Sequence, residues 1–248
     1  MASMNDVRYP IVELRQYTLH PGQRDVLINL FDREFVETQE AAGMAVIAQF
    51  RDLDDPDRFV WLRGFEDMPS RAEALGRFYG GPAWKTHKDQ ANATMFDSDN
   101  VLLLRPVTAR TGFPPPTDVR PPFGHPTPPP SVVLATLYYR DRPFDQAFID
   151  FFDGQIRPVL IETGAAPPLA CLQSEHAENT FPALPVRIGE NVFVWFAQFP
   201  SRADLDNHLY RVERSDHWRD YVQPTLSTML TRPPQQLRLA PTARSLLR

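Results

Sequence analysis

Cysteine is almost absent from this chain: Cys171 is the only one in 248 residues. An intrachain disulfide and a thiolate metal cluster are thereby excluded. Long apolar runs are missing too, and none approaches the roughly 20 residues needed to span a bilayer. There is no basic block. Lys and Arg number 26 against 31 Asp and Glu, interspersed, for a net charge of −5, so neutralising nucleic-acid phosphates is not expected. No HExxH, Cys pair or His/carboxylate cluster offers a metal site, and no GxGxxG or P-loop offers a nucleotide cradle. Nothing resembles the GxSxG elbow of a serine hydrolase. The opening Met1–Asp6 has neither the apolar core of a signal peptide nor an Arg-rich presequence. The expectation is a cytoplasmic protein with no nucleic-acid or membrane partner.

What the chain does have is a repeat. Phe59–Phe65 (FVWLRGF) matches Phe193–Phe199 (FVWFAQF), Pro69–Glu73 matches Pro200–Asp204, and Trp84-Lys85 matches Trp218-Arg219. Tyr17, Phe31 and Gly43 meet Tyr138, Phe152 and Gly164 at one constant offset. The repeat implies two modules, at 8–106 and 131–242. Residues 107–130 form a Pro-rich linker, and 106–130 hold ten prolines. Such a stretch favours extended polyproline conformation and suits a tether, with recruitment of a protein partner as the alternative.

Apolar alternation predicts strands at Val12–Thr18, Met44–Arg51, Arg58–Phe65 and Val101–Leu104. Helical spacing covers Arg24–Ala42, ended by Gly43, and about Ala83–Met95. A further helix starts after Ser70, with Glu73 completing a capping box. The order β-α-β-β-α-β is a ferredoxin-like module. The second copy repeats it with about 13 extra residues between Cys171 and Val192. A four-stranded sheet with both helices on one face leaves its other face bare. Two such sheets can bury those faces together, so the predicted fold class is α+β, a single-chain pseudo-dimeric α/β barrel.

The first strand Val12–Gly22 (VELRQYTLHPG) resembles the opening of NIPSNAP-family domains. So do Phe78–Trp84 (FYGGPAW) and Asp99–Pro106 (DNVLLLRP), while Glu178–Arg187 (ENTFPALPVR) looks like the tandem bacterial members. The resemblance covers both halves but not the linker. It implies the dimeric α/β-barrel superfamily, which includes cofactor-free monooxygenases, haem enzymes, isomerases and simple binders, so it does not supply a reaction.

Strand alternation then suggests a lining. Val12, Leu14, Val60 and Leu62 would pack against helices, turning Glu13, Arg15, Tyr17, Trp61 and Arg63 into the barrel. Their second-half counterparts are Leu134, Thr136, Tyr138, Trp195 and Ala197, so both halves keep the aromatics and only the first keeps charge. Trp61 and Trp195 suit structural core. Glu13 with Arg15 or Arg63 reads either as an ion pair closing the barrel or as a catalytic set: an arginine gripping an anionic or carbonyl-bearing ligand, with Glu13 as base. Trp84 and His87 share a helix face. His87 could shuttle a proton or ligate haem iron, or be an ordinary helix histidine bonded to a carbonyl. Asn92, Trp61, Trp84, Tyr138 and Trp195 are candidate substrate contacts, and His208 is expected on a solvated helix face. Cys171 reads as a small buried apolar residue.

Three functions follow as expectations. One is a small-molecule enzyme, a cofactor-independent oxygenase or tailoring enzyme acting on an aromatic or carbonyl compound. Another is a haem protein using His87. The last is a non-catalytic interaction scaffold, which predicts a filled barrel. No resident cofactor other than haem is expected. The chain should be a self-contained pseudo-dimer, able to form a further homodimer, with its site on the first-module side.

Overall fold

The computed structural model describes residues 9–116, 119–125 and 127–248; the opening Met1–Asp6 and Pro126 of the linker lie outside them. Strand β1 (Ile11–Leu19) leads into α1 (Arg24–Leu30), a π-helical turn at Phe31–Phe35, and α2 (Val36–Ala41). Gly43, at φ +101°, ends this run at the residue expected from the sequence, because a side chain would resist that left-handed conformation. Then come β2 (Ala45–Asp52), β3 (Arg58–Phe65), α3 (Met68–Tyr79), α4 (Pro82–Asn92), a short β4 (Met95–Asp97) and β5 (Val101–Pro106). The second half runs through β6 (Val132–Arg140), α5 (Gln146–Phe151), a π-helical turn at Phe152–Ile156, α6 (Arg157–Glu162) and β7 (Ala170–Ser174). It finishes with β8 (Asn191–Phe199), α7 (Arg202–Arg214), a π-helical turn at Trp218–Val222, α8 (Gln223–Met229) and β9 (Gln235–Pro241).

Two local expectations shift. Asp67, not Ser70, caps α3: its Oδ1 accepts the Ser70 amide at 2.6 Å, and a carboxylate followed by Pro69 in the first turn starts the helix earlier. Met95 leaves the helix for β4, which pairs with the end of β1. In the second half Ser201 does cap α7, accepting the Asp204 amide.

The strands close an antiparallel barrel of eight. Around the ring the order is β1-β3-β2-β9-β6-β8-β7-β5, returning to β1, with β4 outside it. Each half contributes the same local order, β5-β1-β3-β2 and β9-β6-β8-β7. The seams are β2–β9 and β5–β7. Closure leaves no unpaired edge in the ring.

The two faces of the sheet are inverted relative to the sequence expectation. Val12, Leu14, Val60 and Leu62 do not meet the helices. They fill the barrel together with Leu137, Leu172, Val194 and Leu239 from the other half. Glu13, Arg15, Tyr17, Trp61 and Arg63 point outward, beneath the first half's helices. The physical reason is dryness: an eight-stranded barrel is only wide enough for side chains, and charges there would find neither water nor partners. Alternation separates the two sets but does not say which faces inward.

The linker is fastened, not loose. Phe113 packs into the barrel cluster with its ring 5.0 Å from that of Phe196. Thr111 accepts the Cys171 amide at 2.8 Å. Arg120 donates to Glu40, to the Val46 carbonyl and to the Arg244 carbonyl. Arg244 in turn bonds Glu37, the Asp32 carbonyl and the Pro121 carbonyl. No helix among the described residues is long and apolar enough to cross a membrane.

Candidate functional site

Under the first half's helices, one carboxylate serves three guanidiniums. Glu13 Oε2 accepts from Arg15 at 2.6 Å and from Arg63 at 2.7 Å, and Oε1 accepts from Arg71 Nε at 2.6 Å. All four side chains are essentially sealed from solvent. Burial alone would raise the Glu13 pKa, but Arg63, Arg15 and Arg71 outweigh it and hold the carboxyl far below the usual range. Glu13 is therefore a fixed anion, not a proton acceptor, which removes its expected role as a base. The cluster has a net charge of +2, and Arg63 Nη2 and Arg71 Nη2 are buried without a partner.

The neighbouring aromatics extend the cluster. Arg15 Nε donates to the Tyr17 hydroxyl at 2.9 Å. The Trp61 ring has the Arg15 guanidinium 5.5 Å away and that of Arg63 5.2 Å away, within cation–π range. The Tyr17 oxygen accepts from Arg15 and not from Trp61, and the buried Trp61 Nε1–H has no partner. Tyr17 itself is pushed above the ordinary phenol range, since burial outweighs the opposing pull of Arg15. Among the described residues nothing accepts the Tyr17 hydroxyl proton. Tyr17 and Trp61 line a cavity of about 30 Å³ with Phe31, Gln39, Tyr79 and Trp84. That is room for about one or two waters. The first-half site thus offers unused hydrogen-bond donors, a positive field and aromatic walls.

The extra residues of the second half arrive here. The Asn179 Oδ1 accepts from Arg71 Nη1 at 2.9 Å, and the Thr180 hydroxyl donates to the Met68 carbonyl at 3.0 Å. Phe181 stacks on Tyr79 with rings 5.9 Å apart and 27° between planes, and Leu184 packs against the same core. The insertion between β7 and β8 is therefore a strap laid from one half over the other's site.

The remaining expected residues scatter. Glu13, Arg15, Tyr17, Arg63, Trp61 and Trp84 come together. Tyr138 and Trp195 do not join them, because they lie under the second half's own helices, where Trp195 Nε1 donates to the Tyr138 hydroxyl at 3.1 Å. His87 is half-buried on α4, its ring 6.4 Å from that of Phe35 and its Nε2 3.3 Å from Glu34, and it does not line the cavity. With that nitrogen turned to a carboxylate and so little space beside it, these residues do not fit an axial haem ligand. Asn92 is exposed at the end of α4. His208, expected in solvent, is buried at 2% exposure. Burial of Cys171 pushes its thiol up to about 12, as suits a small apolar residue. Arg71, Gln39, Tyr79 and the Asn179–Phe181 strap were missed. Arg71 entered only as part of the repeat match to Arg202, an arginine in both halves that the charge asymmetry does not single out, and no periodicity marks a loop that crosses between halves.

The outward comparisons agree with this architecture. The chain superposes on an anthrone oxidase-like protein with a TM-score of 0.56 at 13% identity, covering 97% of this chain and 93% of that one. A protein called a putative monooxygenase, from Fusobacterium nucleatum, gives 0.53 at 11% identity, with 94% and 92% covered. Another of the same description, from Lactobacillus acidophilus, gives 0.52 at 12% identity, with 94% of each covered. At such identities the likeness is one of fold. Comparison with curated proteins finds no match. The NIPSNAP family model matches residues 12–109, the segment that builds β1 to β5 and the arginine cluster, so the likeness to that family lies in the first half of the chain.

Proposed function

We propose that this protein is a small-molecule-binding barrel of two ferredoxin-like modules fused in tandem, 8–106 and 131–242, and that its first module is the working one. Its ligand is an aromatic compound carrying an anionic or carbonyl oxygen, and the chemistry is oxygenation without a resident cofactor. The observation that carries this reading is the unpartnered Trp61 Nε1–H beside the Arg15–Tyr17 pair, in a buried cluster of net positive charge. A ligand oxygen between Trp61 and Tyr17 takes two donors that the protein leaves free. The fixed guanidiniums behind them stabilise the aryloxide or enolate form, with little reorganisation needed. Glu13 cannot take the ligand proton, so the positive field lowers the ligand's own pKa and the proton leaves to water. Such an electron-rich ring can react with dioxygen, a CH₂ becoming C=O with release of one water. Entry requires Tyr79 and Phe181 to part, because the closed cavity holds only water-sized guests.

The well-filled barrel interior favours a second reading, a scaffold with no substrate. One experiment separates them. Tryptophan fluorescence and oxygen uptake are followed with a hydroxylated anthrone and a quinol panel. Binding and uptake by the wild type, lost in Arg15→Met and Trp61→Phe proteins with native circular dichroism, support the oxygenase. No binding by any panel member sinks it in favour of the scaffold.

A further inference from the structure

The second half carries its own unassigned pocket, and its chemistry differs. His208 on α7 is buried, and its Nδ1 lies 3.1 Å from the Thr163 hydroxyl oxygen. That hydroxyl has one proton, and it points to the Val159 carbonyl at 2.6 Å, with the Leu160 carbonyl at 3.1 Å. Thr163 can therefore only accept from His208, which places the imidazole proton on Nδ1. The lone pair is left on Nε2, and Nε2 has no partner. Thr136 Oγ1, also buried, has none either. His208, Thr136, Tyr138 and Trp195 line one cavity of about 50 Å³. Trp218 and Pro234 line it too, and the same two residues border a larger open cavity of about 470 Å³ on α8 and the following loop. The outer space is ligand-sized. The inner one fits a single polar substituent.

We infer that this pocket binds an uncharged, hydroxyl-bearing aromatic or alicyclic molecule, its ring in the outer cavity against Trp218 and its hydroxyl between His208 Nε2 and Thr136 Oγ1. The hydroxyl donates to the Nε2 lone pair and accepts from Thr136. A carboxylate between His208 and Thr136 is disfavoured, because Nε2 presents a lone pair and the inner cavity's lining carries no cation; the one arginine nearby, Arg232, borders the outer cavity. This site stands apart from the first-module reading and survives its failure.

The probes are 2-naphthol, naphthalene and 2-naphthoate, followed by tryptophan fluorescence in an Arg15→Met background that silences the first-half site. The expected order is 2-naphthol at least about tenfold tighter than either relative. The near-isosteric Thr136→Val should weaken 2-naphthol by roughly three- to tenfold. His208→Phe should erase the preference over naphthalene, and thermal melts would show that both variants fold. Nitrogen-15 NMR of the imidazole should find Nδ1 protonated and Nε2 bare. Equal binding of naphthol and naphthalene would overturn the assignment, as would naphthol affinity untouched by Thr136→Val, which would mean that Nε2 and Thr136 hold a water only.

Discussion

The two sheet–helix layers start from the same aromatic pair and arrive at opposite electrostatics. In the second, the Trp195 indole reaches the Tyr138 hydroxyl and the pair is closed on itself. In the first, Arg15 takes the Tyr17 hydroxyl and the Trp61 indole is left over. Position 15 against 136 marks the contrast: the arginine donates to the tyrosine hydroxyl, and the threonine makes no such bond. Together with Glu13 and Arg63 against Leu134 and Ala197, this difference sets a cationic pocket with a spare donor against a satisfied core pair. The other half, with no arginine lining its inner cavity, keeps a neutral pocket around His208.

The comparison breaks most visibly at Glu13. Glu13→Gln leaves three buried guanidiniums without their anion and should cost about 3–5 kcal/mol in chemical denaturation. Changing its counterpart Leu134 to Met, which adds no charge, should cost less than about 1.5 kcal/mol.

Asp32 and Asp153 occupy equivalent positions in the π-helical turns Phe31–Phe35 and Phe152–Ile156, and only the first is buried. Burial raises Asp32 to about 6 despite Arg244 and Arg120 nearby. A carboxyl raised in the folded state contributes stability that is full below its unfolded pKa, near 4, and is lost as pH rises through about 6. Asp32→Asn should therefore be more stable than wild type at pH 8, by about 1–3 kcal/mol, with the gain vanishing toward pH 4. Denaturation across that range checks the sign. Asp153→Asn should show no such trend, since Asp153 is exposed beside Arg157.

Two smaller effects sharpen the contrast. Trp195→Phe should cost about 1 kcal/mol more than Trp61→Phe, because only Trp195 gives up a hydrogen bond. Equal costs in thermal or urea melts would mean that Trp61 finds a partner in solution. Asn179→Ala should lower stability by about 1 kcal/mol through Arg71. Faster hydrogen exchange over residues 178–185 would show the strap lifting, while the second half's helices should stay protected.

Much of the barrel was legible because hydrophobic period and turn residues are local. The strand at Arg58–Phe65, the stop at Gly43 and the matching plan of the halves all follow from such patterns. The site was legible in part. The charge asymmetry of Glu13, Arg15 and Arg63 against Leu134, Thr136 and Ala197 marked the first half as different. Arg71 was not legible, since its partners Glu13 and Asn179 lie 58 and 108 residues away in the chain. His208 looked like a surface histidine because α7 is strongly polar, yet its ring lies under that helix, 4.9 Å from that of Phe199.

The sequence by itself determined the element order, the repeat and the set of residues that differ between its copies. Those depend on neighbours a few positions apart, where backbone preference and side-chain period act directly. Only the tertiary structure decided which sheet face became the dry interior, which donors were left without acceptors, and which half lends a strap to the other. Closing the barrel makes one face dry and sends every charge to the other, and that choice depends on both halves at once.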